Sequence, residues 1–280
     1  MFLTHKGVLW MIIATSFFAI MGTFVKIGSE FFSETELVFY RSAISLLLVL
    51  ILIMKNKITI RTSYIRLHFL RSIAGFLSLL AFFYAISKLP LSSAISLNYT
   101  SPLFLGLLLT IILKRKLNKF LFIIICVGFF GTFLLLKPTF IDQNYFAGFM
   151  GLASGFGAAF AYLYITQLGQ LKEPDIRTVF YFTGFSTIGS AAMLIFEDIS
   201  IPNLSQIYIL IGLGLSATIA QIALTKAYRV GNTLGNAGLS YLTVIFSTLI
   251  GLIYFKEYLD FQSIVGIFLI ILSGVFASKR

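Results

Sequence analysis

The residues of this chain that can do chemistry inside an apolar setting are few, and they are neutral or basic. Asn98, Tyr99, Thr100, Ser101 and Pro102 follow one another in the middle of an otherwise apolar run. Asn236, Ser240, Tyr241 and Thr243 occupy a second run, Thr218 and Gln221 the run before it, and Ser78 and Tyr84 an earlier one. Amides, hydroxyls and phenols at such positions either bind a polar solute or hold helices together, the latter worth on average about 0.6 kcal/mol per bond. Pro102 has no N–H for the carbonyl of Asn98, so a helix should kink there and free an acceptor. In lipid that acceptor must be satisfied by protein, water or substrate.

Three basic side chains complete the set. Arg41 lies near the second turn of its run, where its planar fork could anchor a carboxylate or phosphate or pair with Glu34 or Glu36. Arg71 and Lys226 lie closer to the ends of their runs, within reach of a membrane surface by snorkelling. The candidate substrate-binding residues are therefore Asn98, Tyr99, Ser101, Tyr241, Ser240, Gln221, Tyr84, Arg41, Lys226 and Arg71. No catalytic or metal set accompanies them. One cysteine (Cys126) and two histidines (His5, His68) are too few for a disulfide framework or most metal centres. No Asp or Glu falls in the middle of an apolar run, so the carboxylate pairs and acid–histidine dyads of membrane-embedded enzymes are missing. No polar filter of the kind an ion channel needs is evident. No cofactor is implied.

The elements that must position these residues are set by composition. Of 280 residues, 59% are hydrophobic and 11% charged, with a mean hydropathy of +0.98, against about a quarter charged in soluble domains. Runs of roughly 20 apolar residues, enough to cross a bilayer, cover 7–27, 35–54, 67–87, 92–113, 118–136, 146–167, 176–196, 204–226, 232–255 and 260–278. The first is too long for a signal peptide and is followed by further spans. A net charge of +11 would suggest nucleic acid in a soluble protein, but here the basic residues sort by loop. Lys6, Lys55, Lys57, Arg61, Arg66, Lys114, Arg115, Lys116, Lys119, Lys172, Arg177, Lys226, Arg229, Lys279 and Arg280 fall on one side, leaving Lys26, Lys88, Lys137 and Lys256 on the other. By the positive-inside rule both termini are cytoplasmic. The fold class expected is an all-α integral membrane protein with ten transmembrane helices.

The chain also repeats itself. An offset of 142 residues superimposes spans three to five on eight to ten without a gap, matching Ala85 to Ala227, Leu97 to Leu239, Tyr99 to Tyr241, Phe104 to Phe246 and Leu107 to Leu249. Five spans per half is odd, so the second half must enter the membrane from the opposite face. Two inverted halves with a site near the midplane between them are a recurrent transporter design. The halves are 1–137 (spans one to five) and 146–280 (spans six to ten).

Phe83-Tyr84-Ala85-Ile86-Ser87-Lys88-Leu89-Pro90, then Ala94 to Pro102, resembles the third and fourth spans of the drug/metabolite transporter superfamily, EamA type. Leu224-Thr225-Lys226-Ala227-Tyr228-Arg229, followed by Phe255-Lys256-Glu257, resembles the second-half counterpart, and Phe39-Tyr40-Arg41 fits the same pattern. The resemblance implies two EamA repeats, with spans three, four, eight and nine nearest a central cavity. Arg115 stands where many relatives carry an acid, whereas Glu257 keeps its place. The membrane-embedded Glu of small multidrug-resistance relatives is missing from the first span, which offers Ala14, Thr15 and Ser16. The subtype looks closest to carriers of S-adenosylmethionine and amino acids. The function expected is secondary active or facilitative transport of a small polar or zwitterionic metabolite across a bacterial inner membrane by alternating access. The alternatives are export of drugs or other metabolites and, from another class, a membrane-embedded enzyme, which the missing catalytic groups oppose. The partners expected are a small-molecule substrate and the bilayer, not nucleic acid, with a monomer favoured over a homodimer. The small residues from Gly151 to Gly155 are expected to pack inside the bundle, Trp10 to anchor at an interface, and Cys126 to pack as a small hydrophobe.

Overall fold

A computed structural model describes residues 5–89, 91–112, 114, 119–136, 144–197, 199–254 and 260–278. Among these residues there is no strand. The helices are α1 (His5–Gly28), α2 (Glu34–Lys55), α3 (Ile65–Lys88), α4 (Leu91–Asn98), α5 (Ser101–Ile111), α6 (Lys119–Leu136), α7 (Tyr145–Gln170), α8 (Asp175–Leu194), α9 (Leu204–Val230), α10 (Thr233–Leu239), α11 (Leu242–Tyr254) and α12 (Phe261–Ser278). Among the described residues, six stretches are long and apolar enough to cross a membrane: Lys6–Gly28, Glu34–Lys55, Ile65–Lys88, Tyr145–Gln170, Gln206–Val230 and Thr233–Ile253. Their outward faces carry large apolar side chains such as Leu47, Ile51, Phe149 and Ile211, as a lipid solvent requires. Arg115, Lys116, Lys137, Phe255, Lys256, Glu257 and the Lys279–Arg280 terminus lie outside the described residues.

Helix starts are written locally. The Ser33 side chain accepts from Glu36 N–H while Glu36 accepts from Ser33 N–H, a capping box that opens α2. Asn203 and Gln206 open α9 the same way. Asn144 caps α7 and Asn232 caps α10.

Helices occupy the apolar runs read from the sequence, but two of those runs hold a pair of helices rather than one. The first break, at Tyr99–Thr100, sits just before Pro102, as the missing N–H predicts; Thr100 N–H bonds instead to Leu97 O, and the Thr100 carbonyl accepts from Leu103 and Phe104. The second, at Ser240–Tyr241, has no proline. Tight turns interrupt the ladder there, from Thr243 N–H to Ser240 O and from Val244 N–H to Tyr241 O. The two breaks stand 141 residues apart, one residue short of the offset that aligns Tyr99 with Tyr241.

The main helix pairs are α1 with α9, α3 with α7, α2 with α8, and α6 with α12. Lesser ones join α1 to α11 and α5 to α7, and α2 to α9 and α3 to α8. Exchanging α1–α6 with α7–α12 turns this set of pairs into itself. Helices α2 and α8 run antiparallel, tied at both ends. At one end Ser33 and Thr35 donate to Glu197, and Ser200 N–H donates to Glu36 at 2.6 Å. At the other, Arg177 donates to Thr59 O, Tyr181 to Ile60 O, and Thr62 to Glu173.

Small residues let the helices approach. A Cβ at Gly151 would stand 2.7 Å from Leu97, and one at Gly157 3.0 Å from Ser78. At Gly155 it would meet the Thr100 hydroxyl and the carbonyls of Leu97 and Asn98 at 2.9 and 3.0 Å. The glycine face of α7 is thus spent inside the chain, on α3 and on the break between α4 and α5. Cys126 is exposed on the outside of α6, which corrects the expectation that it packs inward. Trp10 is half-buried beneath the Lys226 ammonium, which stands 4.2 Å from its ring centre.

Candidate functional site

A cavity of about 440 Å³ lies between the two sets of helices. Its wall includes Thr15 from α1, Arg41 from α2, Arg71 and Ser78 from α3, Asn98, Tyr99 and Ser101 at the first break, Tyr162 from α7, Phe182 from α8, Gln221 from α9, and Ser240 and Thr243 at the second break. It extends past Met21 and Lys26 on α1, Ile86 on α3 and Gly251 on α11, toward the end of the molecule that carries the α1–α2 turn. Toward the opposite end Tyr162 stacks on the buried Tyr228, ring centres 5.1 Å apart and planes 17° off parallel.

Of the residues singled out in the sequence, Asn98, Tyr99, Ser101, Ser240, Gln221, Arg41 and Arg71 line this one space. The Asn98 amide donates to Ser154 Oγ at 2.9 Å. Tyr99, at the first break, packs against Tyr241, at the second, with ring centres 6.1 Å apart. Three predicted site residues lie elsewhere. Tyr241 is fully buried behind Tyr99, because Gly128 of α6 leaves room for its ring: a Cβ there would come within 2.7 Å of it. Tyr84 turns edge-on to Phe146, ring centres 5.7 Å apart. Lys226 is drawn off to the face of Trp10. Asn236 and Thr218 are likewise structural: Asn236 donates to Ala227 O across the α9–α10 corner, and Thr218 bonds Ser45 of α2.

The arginines differ from expectation in an informative way. Arg71 does not snorkel; it is 2% exposed, with its guanidinium carbon 3.7 Å from the centre of the Phe182 ring. Arg41 is 3% exposed and stands 5.5 Å from the same ring. Arg41 does not pair with Glu36, whose carboxylate is already held by Ser33 N–H and Ser200 N–H. Nε and Nη1 of both arginines are buried without a hydrogen-bond partner. Sequence reasoning missed Phe182 and Tyr162, two of many aromatics with no local signal to separate them from lipid-facing rings.

His68 and Glu173 meet at 3.3 Å, with Arg177 2.8 Å from the same carboxylate oxygen, at the end of the bundle outside the cavity. Burial raises the pKa of Glu173, but bonds from Arg177, Thr62 and His68 outweigh it and hold the carboxyl below its ordinary value. No group of three or more His, Cys, Asp or Glu that could hold a metal ion occurs among the described residues.

A family model described as the EamA-like transporter family matches this chain twice, over residues 5–137 and 146–278. An uncharacterized transporter of Helicobacter pylori is 32% identical, over 96% of this chain and 93% of its own length. A pseudopaline exporter, CntI, of Pseudomonas aeruginosa is 28% identical over 99% and 97%. An S-adenosylmethionine uptake transporter of Rickettsia bellii is 27% identical over 86% and 82%. A chain of known crystal structure shares the fold with a TM-score of 0.84 at 17% identity, covering 97% of this chain and 96% of the other.

Proposed function

The chain belongs to the EamA-like transporter family, membrane transporters rather than enzymes, and on that premise we propose that it is a secondary carrier working by alternating access. Its ten spans, with α4–α5 and α10–α11 each counted as one broken span, form two inverted five-span halves, 1–137 and 146–280. The antiparallel α2–α8 pair and the helix pairing that exchanges into itself support this reading. Both termini face the cytoplasm of a bacterial inner membrane by the distribution of Lys and Arg, and the cavity then faces outward. A monomer suffices, because the glycine face of α7 is already used within the chain.

The cargo is a small polar metabolite that carries a carboxylate, as amino acids and S-adenosylmethionine do, bound by Asn98, Tyr99, Ser101, Ser240, Gln221, Arg41 and Arg71. The observation that carries this reading is the place where the two helix breaks meet. Tyr99 and Tyr241 touch there, at the junction of the halves, beside the cavity that Asn98, Ser240 and Gln221 line. Broken helices at a repeat interface are where transporters bind their substrates. The test is solute counterflow in proteoliposomes loaded with a mixture of amino acids and S-adenosylmethionine. Wild-type protein should show saturable exchange, and Tyr99→Ala should cut the rate at least tenfold while inserting normally. Non-saturable flux would point to a channel and overturn the carrier reading, and normal exchange by Tyr99→Ala would remove the site.

A further inference from the structure

We propose that the cargo carries two negative charges on one small molecule, recognised together by Arg41 and Arg71 over the ring of Phe182. The inference rests on the carrier reading above and narrows its substrate class.

Among the described residues, the charged side chains that line the cavity are Lys26, Arg41 and Arg71, all basic. Arg41 and Arg71 are nearly inaccessible, and each leaves Nε and Nη1 without a partner. Both guanidinium carbons lie over one aromatic ring, at 5.5 and 3.7 Å from its centre, so their separation cannot exceed those two distances laid end to end. The position is built rather than incidental. Gly75 on α3 makes room for it: a Cβ there would stand 2.9 Å from Phe182 and 3.0 Å from Arg71 Nη1.

Two like charges held together with no acid between them are costly, since each loses hydration and they repel one another. Stacking on Phe182 offsets part of this by cation–π attraction. It supplies none of the in-plane acceptors a guanidinium fork requires, and carboxylate or phosphate oxygens do. A single carboxylate leaves one fork unsatisfied; two carboxylates, or the doubly charged phosphoryl group of a phosphate monoester with its three terminal oxygens, satisfy both. A cargo with net positive charge is disfavoured by the same lining, which narrows the class above away from S-adenosylmethionine.

The experiment measures thermal stability of the purified full chain in detergent, at matched ionic strength. The probes are malonate, succinate, glutarate and glycerol phosphate, each dicarboxylate compared with its own monoamide. A ligand that binds only the folded state raises the melting temperature. At least one diacid or the phosphate ester should stabilise the protein, with an apparent affinity about tenfold to a hundredfold above the monoamide, as loss of a charged hydrogen-bonded pair implies. Arg41→Gln and Arg71→Gln should each abolish that difference, and Lys55→Gln, on the exposed surface, should keep it. A second reading guards against misfolding: the ligand-free Arg71→Gln protein should melt at the same temperature as wild type or higher, because a repelling, desolvated charge has been removed. Parity between every diacid and its monoamide, with no effect of the phosphate ester, would overturn the proposal even if counterflow of amino acids succeeds. So would a lower melting temperature for ligand-free Arg71→Gln, which would make the arginine a structural prop. Failure of the carrier reading shows separately, as loss of saturable counterflow for every solute.

Discussion

The polar side chains of this protein divide between those bonded to other parts of the chain and those left facing a shared space. Glu36, Glu197, Glu173, Asn236 and Thr218 belong to the first group, each with a named partner. Arg41 and Arg71 belong to the second. Their side-chain types say nothing of this division; both groups are polar residues in or beside apolar runs. Glu173 shows how the first group acts on stability. Its carboxyl titrates lower in the folded protein than in the unfolded chain, so it contributes stability above its unfolded value. That contribution is lost as pH falls through the lower folded value. Acidification below the ordinary glutamate range should therefore lower the melting temperature of wild-type protein, and Glu173→Gln should remove part of that slope while lowering stability at neutral pH. Equal slopes in the two proteins would show that the clasp does not depend on this charge.

At the scale of the helix, the first break was legible in the residues, because Pro102 removes a donor that Asn98 would need. The second was not. Nothing in Ser240-Tyr241-Leu242 forbids a continuous helix, and only the match to Tyr99 at an offset of 142 hints at a shared feature. What supports it is tertiary: Tyr241 fills a space that Gly128 opens on α6, between Tyr99 and Ser273, whose hydroxyl donates to Ile124 O at 2.8 Å. The placement of Tyr241 behind the cavity wall, rather than in it, follows from a glycine more than a hundred residues away, which spacing along the chain cannot reveal. Arg71 misled for a related reason: depth along its helix suggested snorkelling, but Gly75 and Phe182 give its side chain a place inside. Gly128→Ala should therefore act on the second break. Its Cβ would come within 2.5 Å of Ser273 Oγ and 2.7 Å of Tyr241, so either ring or helix must shift. Overpacking of this kind costs about 1–3 kcal/mol, measurable as a lower melting temperature in detergent. An unchanged melting temperature would mean that Tyr241 is free to move and does not brace Tyr99.

For the whole molecule, the informative feature is where the pseudo-twofold pairing fails. Exchange of α1–α6 with α7–α12 maps the main helix pairs onto one another, but α7 packs on α9 while their counterparts α1 and α3 make no comparable packing. Tyr162 and Tyr228 stack where α7 meets α9, and a Cβ at Gly169 would stand 2.9 Å from the Arg229 backbone. The residue 142 before Tyr228 is Ile86, and Met21 stands 141 before Tyr162, the offset between the two family matches. Met21 and Ile86 both border the cavity toward its other end. If the halves exchange roles, α1 and α3 should come together at that end as α7 and α9 part, because a symmetric pair of modules stores its second state in the contact it lacks. In a Cys126→Ser background, Met21→Cys with Ile86→Cys should cross-link under turnover with substrate on both sides and little at rest, and the cross-link should arrest transport. Tyr162→Cys with Tyr228→Cys should show the reverse preference. Both pairs linking equally well at rest and in turnover, or a linked protein that still transports, would mean that the contact between α7 and α9 is a fixed part of the scaffold and that access alternates by some other motion.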